Sequence, residues 1–259
     1  MKLPSISPYI AFLTLICAAS PVLAQTAVAP NMGAAAPFAV LGGTAVTCVG
    51  PGTINGDVGS AGALTPGTCT ISGASTTPVS GTVTTAFPNA RDALNTQNPV
   101  CTGTIPPGGG TLSPGVWCSA ADVTISGIIT LNGNASDVWV FRVGTGGTGA
   151  LTLNSAQIVM GGTASACNVY WKTAEAVALT DSNFLGYALA GTAATITRGD
   201  WVGGMFATTD ATVTDATVTG CAVAPVAATG IPTLSQWAMF LLSALLAVAG
   251  FAVLRRRMR

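Results

Sequence analysis

The chain has 259 residues with only 9 Lys+Arg and 9 Asp+Glu, so 7% of it is charged, and it contains no His. That absence excludes Ser-His-Asp and Cys-His nucleophile systems and His-ligated zinc or haem. A hydrophobic content of 49% argues against a charge-rich disordered chain, and no basic stripe outside the last five residues is on offer to nucleic-acid phosphates. What remains is a weakly charged chain with 32 Gly and 36 Thr, a composition suited to short strands and tight turns.

Met1-Lys2 precedes the apolar run Ile10 to Ala19, followed by Ser20-Pro-Val-Leu-Ala24. A charged start, a short hydrophobic stretch and a small-residue exit describe a signal peptide over residues 1–24, with cleavage after Ala24. Pro4, Pro8 and Pro21 bracket the segment and count against a buried helix. Cys17 leaves with this peptide, so Cys48, Cys69, Cys101, Cys118, Cys167 and Cys221 enter an oxidising compartment. None has Cys-x-x-Cys spacing and no His assists, so neither a metal centre nor a cofactor is expected. Six cysteines allow 15 pairings and spacing alone does not choose among them. The working expectation is sequential pairing, Cys48–Cys69, Cys101–Cys118 and Cys167–Cys221. Closing a loop of ~20 residues stabilises by roughly 3 kcal/mol in the chain-entropy picture.

Residues 25–230 carry Arg91, Arg142, Lys172 and Arg198 against nine carboxylates, a net charge of 4 − 9 = −5. Thr84 to Gln97 is the one stretch with helical spacing, through Phe87, Ala90 and Leu94, and Pro88 places the helix start near itself. Val123-Thr-Ile-Ser126, Val138 to Val143, Leu151-Thr-Leu-Asn154 and Asn168-Val-Tyr-Trp171 are β-branched or aromatic runs between Gly, Asn or Asp, which predicts strands. Ala178-Leu-Thr180, Thr195-Ile-Thr197 and Thr212-Val-Thr214 then recur every 17 residues. Phe184 to Leu189 and Val202 to Ala207 recur at 18. So short a period without helices fits a β-solenoid whose coils stack to bury a shared core. Leu179, Ile196 and Val213 then point inward, and Thr195, Thr197, Thr212 and Thr214 point outward together. The segments containing Leu185 and Val202 indicate that another outward face is less regular in Thr.

Ile231-Pro-Thr-Leu-Ser-Gln-Trp237 precedes an apolar stretch to Leu254 and Arg255-Arg-Arg-Met-Arg259. Eighteen residues from Trp237 to Leu254 at ~1.5 Å each just cross ~30 Å of hydrocarbon, with the Arg cluster on the cytoplasmic side. Residues 231–259 closely resemble the IPTL class of C-terminal sorting signals, with Ile231, Pro232, Thr233, Leu234 and Ser235 as the motif. The resemblance implies an exosortase-like sorting protease of a Gram-negative bacterium, transient anchoring in the inner membrane through 237–254, cleavage near the motif, and delivery to the cell surface or its matrix.

Phe38 to Thr47, Thr53-Ile-Asn-Gly-Asp-Val-Gly59, Leu112-Ser-Pro-Gly-Val-Trp-Cys118, Leu131-Asn-Gly with Val138 to Val143, and Ala166-Cys-Asn-Val-Tyr-Trp171 resemble, in order, the ice-binding-like β-solenoid family (type 1 ice-binding proteins). The resemblance runs from about Ala36 to Cys221. It implies an all-β, discontinuous right-handed β-solenoid of triangular cross-section with one α-helix packed alongside. It also implies a non-enzymatic protein that adsorbs to ice crystals, with Thr180, Thr195, Thr197, Thr212 and Thr214 as candidate contacts. Thr145-Gly-Gly-Thr148 and Thr192-Ala-Ala-Thr195 resemble the T-A/G-x-T pattern of active members, which adds Thr145 and Thr148. The alternative is a structural or adhesive component of the cell surface or biofilm matrix on the same scaffold.

Three further motifs are weighed and set aside. Gly144 to Gly149 matches G-x-G-x-x-G but leads into a strand, whereas a dinucleotide site needs a helix N-terminus. Arg198-Gly-Asp200 reads as a turn between strands, and Asp200, Asp210 and Asp215 as turn formers rather than a glycosidase pair.

Overall fold

The computed structural model describes residues 27–96 and 101–221. Runs such as Ala194-Thr-Ile-Thr alternate small or branched inward residues with outward threonines, and they form parallel strands that stack coil on coil around one core. Each coil visits three faces. The first is a nine-stranded sheet that contains, in stacking order, Ser75–Thr76, Asp57–Ser60, Phe38–Gly42, Met205–Ala207, Tyr187–Ala190, Val169–Thr173, Trp139–Val143, Gly115–Ser119 and Gly103–Thr104. The other two faces are formed by the two halves of long bent strands, Val177–Leu185, Ala194–Val202 and Asp210–Thr219, with shorter strands stacked above and below them.

The stacking order shows the discontinuity. Val40 registers with Met205 on one side and with Val58 on the other, so the first coil inserts beside the last. The chain builds outward from that junction, returns through a helix, and climbs back from the opposite end. Among the described residues the fold is the all-β solenoid with one α-helix that the sequence implies.

The bends between the second and third faces fall in one column. Ser155, Asp181, Arg198 and Asp215 all take positive φ, between 49° and 54°, and Gly50 continues them at 76°. Left-handed backbone costs a side-chain-bearing residue of order 1 kcal/mol, and Asp tolerates it best. A Cβ at Gly50 would meet Asp215 Oδ1 at 1.8 Å, so the column ends on the residue without one.

Two buried clusters hold the fold. Inside the coils, Phe141 stacks on Trp171 at 3.7 Å, and Phe184 bridges Trp171 and Trp201 at 5.2 and 4.6 Å. The indoles of Trp139, Trp171 and Trp201 donate to the backbone carbonyls of Leu112, Leu185 and Gly186, so no buried N–H is orphaned there. Outside the first face, Val140, Tyr170, Tyr187, Leu189 and Phe206 are covered by α1 (Gly81–Thr96). Val83, Phe87, Ala90 and Leu94 form its buried stripe, and Phe87 meets Phe206 edge-on at 5.8 Å.

The helix corrects one expectation. It begins at Gly81 and carries Pro88 inside it, instead of starting near the proline. Pro88 removes one hydrogen bond to the carbonyl of Thr84, but both residues lie on the exposed side of the helix. Burial of Val83 and Phe87 before the proline and of Ala90 and Leu94 after it holds the helix in place.

The disulfides are sequential, Cys48–Cys69, Cys101–Cys118 and Cys167–Cys221. Among the described residues no helix is long and apolar enough to cross a membrane. The signal peptide, the 237–254 span and the IPTL motif lie outside the described residues.

Candidate functional site

The second face carries two outward columns. Strand register places Thr124, Thr152, Ala178, Thr195, Thr212, Thr47 and Thr65 in one line across seven stacked strands. Beside it run Asn154, Thr180, Thr197, Thr214 and Val49. Neighbours within a column are separated by the strand spacing of about 4.8 Å, and the columns by about 6.6–7 Å. The inward partners Val46, Leu153, Leu179, Ile196 and Val213 are at most 1% exposed, so the threonines beside them are fixed by side chains anchored in the core, while Leu64 beside Thr65 is partly buried.

Five of the candidate threonines, Thr180, Thr195, Thr197, Thr212 and Thr214, therefore share one surface. Thr145 and Thr148 do not. They sit in the turn that links Trp139–Val143 to Leu151–Asn154, at the corner with the helix-covered face, where Thr145 Oγ1 donates to Ser119 O at 3.3 Å. Sequence reasoning missed Thr47, Thr65, Thr124 and Thr152. The alternation in Ala45-Val-Thr-Cys-Val49 and in Leu151-Thr-Leu153 carries the signal, but the first joins the column only through the discontinuity. Coils holding Thr124 and Thr152 are longer than the 17-residue repeat, so spacing does not reveal them.

Both columns are free of charge. Charges lie only along the edges of the face. At one edge Thr44 Oγ1 donates to Asp210. At the bend, Arg198 Nε and Nη2 donate to Asp181 Oδ1 and Oδ2 at 2.6 and 2.8 Å. That pair holds the Asp181 carboxyl below its ordinary range and pushes the Arg198 guanidinium up. Arg198-Gly-Asp200 is thus a solenoid corner, with its arginine engaged. The third face is mixed, with Asp200 outward and Ile128 and Val202 exposed at 55% and 36%. The Gly144 to Gly149 segment joins two strands and faces no helix N-terminus.

A family model described as ice-binding-like matches residues 40–219. The chain belongs to the ice-binding-like family. An ice-binding protein of Flavobacterium frigoris (strain PS1) is 36% identical over 222 residues, covering 75% of this chain and 78% of the relative. Among solved structures, an ice-binding protein of the Antarctic ascomycete Antarctomyces psychrotrophicus aligns with TM-score 0.66 at 30% identity, covering 74% of this chain and 98% of that one. The DUF3494 domain of Shewanella frigidimarina ice-binding protein 1 aligns with TM-score 0.65 at 27% identity, covering 76% and 100%. The Shewanella domain carries the designation DUF3494, which replaces the type 1 label. The ascomycete and Shewanella chains are matched almost end to end, so those two domains fold without segments beyond the matched region. An IPTL-CTERM motif model matches residues 229–257.

Proposed function

We propose that this member is exported, held at the cell surface or in its matrix through its IPTL-type tail, and adsorbs to ice through the threonine face. The observation that carries the reading is the line of six threonines and one alanine across seven strands, uncharged and backed by buried side chains. On a rigid grid of this kind, hydroxyls order water near the spacings of ice while methyls add apolar contact. Charged side chains hold water in other geometries, so confining them to the edges serves the same end. The named relatives are ice-binding proteins, which favours this reading over a matrix role without ice affinity.

Processing follows from the tail. The precursor is held by residues 237–254 and cut by an exosortase-like protease near Ile231 to Ser235. Thermal hysteresis and ice-recrystallisation assays on residues 25–230 test the function. Activity at micromolar protein supports it, and inactivity of the folded domain transfers the assignment to the matrix or adhesin role.

A further inference from the structure

Three of the four cationic side chains in residues 25–230 converge at one place outside the threonine face. Arg142 and Lys172 are register partners on adjacent strands of the helix-covered sheet, both pointing outward and half-buried. Like charges directly opposite on paired strands destabilise a sheet. Arg91 of α1 joins them, with Nη2 donating to Thr173 O at 2.8 Å. Burial, then Arg91 and Arg142, push the Lys172 ammonium below its ordinary range, and Asp92 opposes this only as the smallest influence.

Asp92 acts on this cluster only through its field, and no carboxylate is ion-paired with it. Among the described residues the one ion pair is Arg198–Asp181, and all nine Asp and Glu of the chain are described residues. Segments outside the described residues therefore hold no acidic side chain to complete the cluster. The Nε atoms of Arg91 and Arg142 are buried without a hydrogen-bond partner, whereas the Lys172 ammonium, half-buried, is open to solvent. A protein with so few charges places three of them together with no paired carboxylate, and the solvent-reachable ends of Arg142 and Lys172, beside Arg91, are left to concentrate positive charge that an anion would offset.

We infer that Arg91, Arg142 and Lys172 form an oxyanion-binding site, for a phosphate or sulfate group either free or carried on a surface polymer. The terminal nitrogens of Arg142 and the Lys172 ammonium, with the charge of Arg91 beside them, fit a group presenting several oxygens. The field of Asp92 lowers affinity without blocking the site. The site lies on another face from the threonine columns and is independent of ice adsorption.

Calorimetric titration of residues 25–230 with inorganic phosphate, and separately with dextran sulfate, tests the inference at constant ionic strength. Saturable binding of phosphate identifies the free ion as sufficient, and saturation by the polymer alone identifies polymer-borne groups. In either case the double variant Arg142→Gln, Lys172→Gln, with an unchanged circular dichroism spectrum, binds about tenfold more weakly or less, the loss expected when charge-assisted contacts go. Arg91 is kept because it ties the helix to Thr173. Should the double variant not fold, amide shifts of residues 142 and 172 in the parent provide the readout, and binding must move them. Absence of saturable binding to both probes, or equal binding by the folded double variant, overturns the site.

Discussion

Replacing Thr212 by Tyr puts a bulky ring in the middle of the threonine face. Thr195 and Thr47 flank Thr212 in its column, and Thr197, Thr214 and Val49 lie in the next. The ring stands proud by more than one water diameter (~2.8 Å), so a flat ice plane cannot touch these side chains and the ring together. Loss of one methyl contact, at ~0.8 kcal/mol, at each of these six positions removes about 5 kcal/mol of gross contact. Since about 1.4 kcal/mol is a factor of ten in binding, adsorption should fall below detection. Tyr suits an exposed strand position, and a surface change of this kind shifts stability by only about ±0.5 kcal/mol. Thermal hysteresis of the variant is therefore expected to vanish while its circular dichroism spectrum and melting temperature match the parent. Full activity in Thr212→Tyr, and again in the double variant Thr197→Tyr, Thr212→Tyr, would refute the assignment of this face. Thr145 and Thr148 would then be the next positions to change.

Ile196→Ala, at a fully buried position behind Thr195 and Thr197, should cost about 2–5 kcal/mol in denaturant melts and blunt ice activity through the loosened strand. Non-reducing peptide mapping of the exported protein should find no free thiol, and replacing both Cys167 and Cys221 by Ser should cost about 4 kcal/mol, from their separation of 54 residues. Burial pushes the Tyr170 phenol up to about 12, so its phenolate absorbance should rise well above pH 10. Because the folded state keeps that proton after the unfolded state has lost it, stability present below pH 10 should decline between about pH 10 and 12, and Tyr170→Phe should flatten the decline. Mass spectrometry of surface-extracted protein should find the chain ending near Ile231 to Ser235, and an intact Arg259 there would mean a plain tail anchor.

The C-terminal coils were legible in the sequence because their lengths are nearly equal. A constant 17-residue step puts Thr195 over Thr212, and the strand register reproduces that step. The rest of the column was hidden by topology. Thr47 stacks on Thr212 from 165 positions earlier, a neighbour relation that no local period reports. Thr145 and Thr148 match a short pattern, but a pattern does not say whether its residues lie on a strand or in a turn, and here the glycines between them make the turn. Pro88 misled for a related reason. An interior proline costs a helix about 3 kcal/mol through its lost hydrogen bond and its ring clash, and here the buried stripe of Val83, Phe87, Ala90 and Leu94 on both sides of it offsets that cost. The Arg142–Lys172 pairing was equally out of reach, since it depends on which strands stack.

The most direct test of the central claim is ice affinity itself. Fluorescently labelled residues 25–230 are placed around a growing single crystal of ice, beside the Thr212→Tyr variant and an inert protein of similar size. Ice adsorption by the threonine face predicts that the parent is incorporated into the crystal, while the variant and the inert protein are pushed into the melt. Exclusion of the folded parent, or equal incorporation of parent and variant, would contradict it.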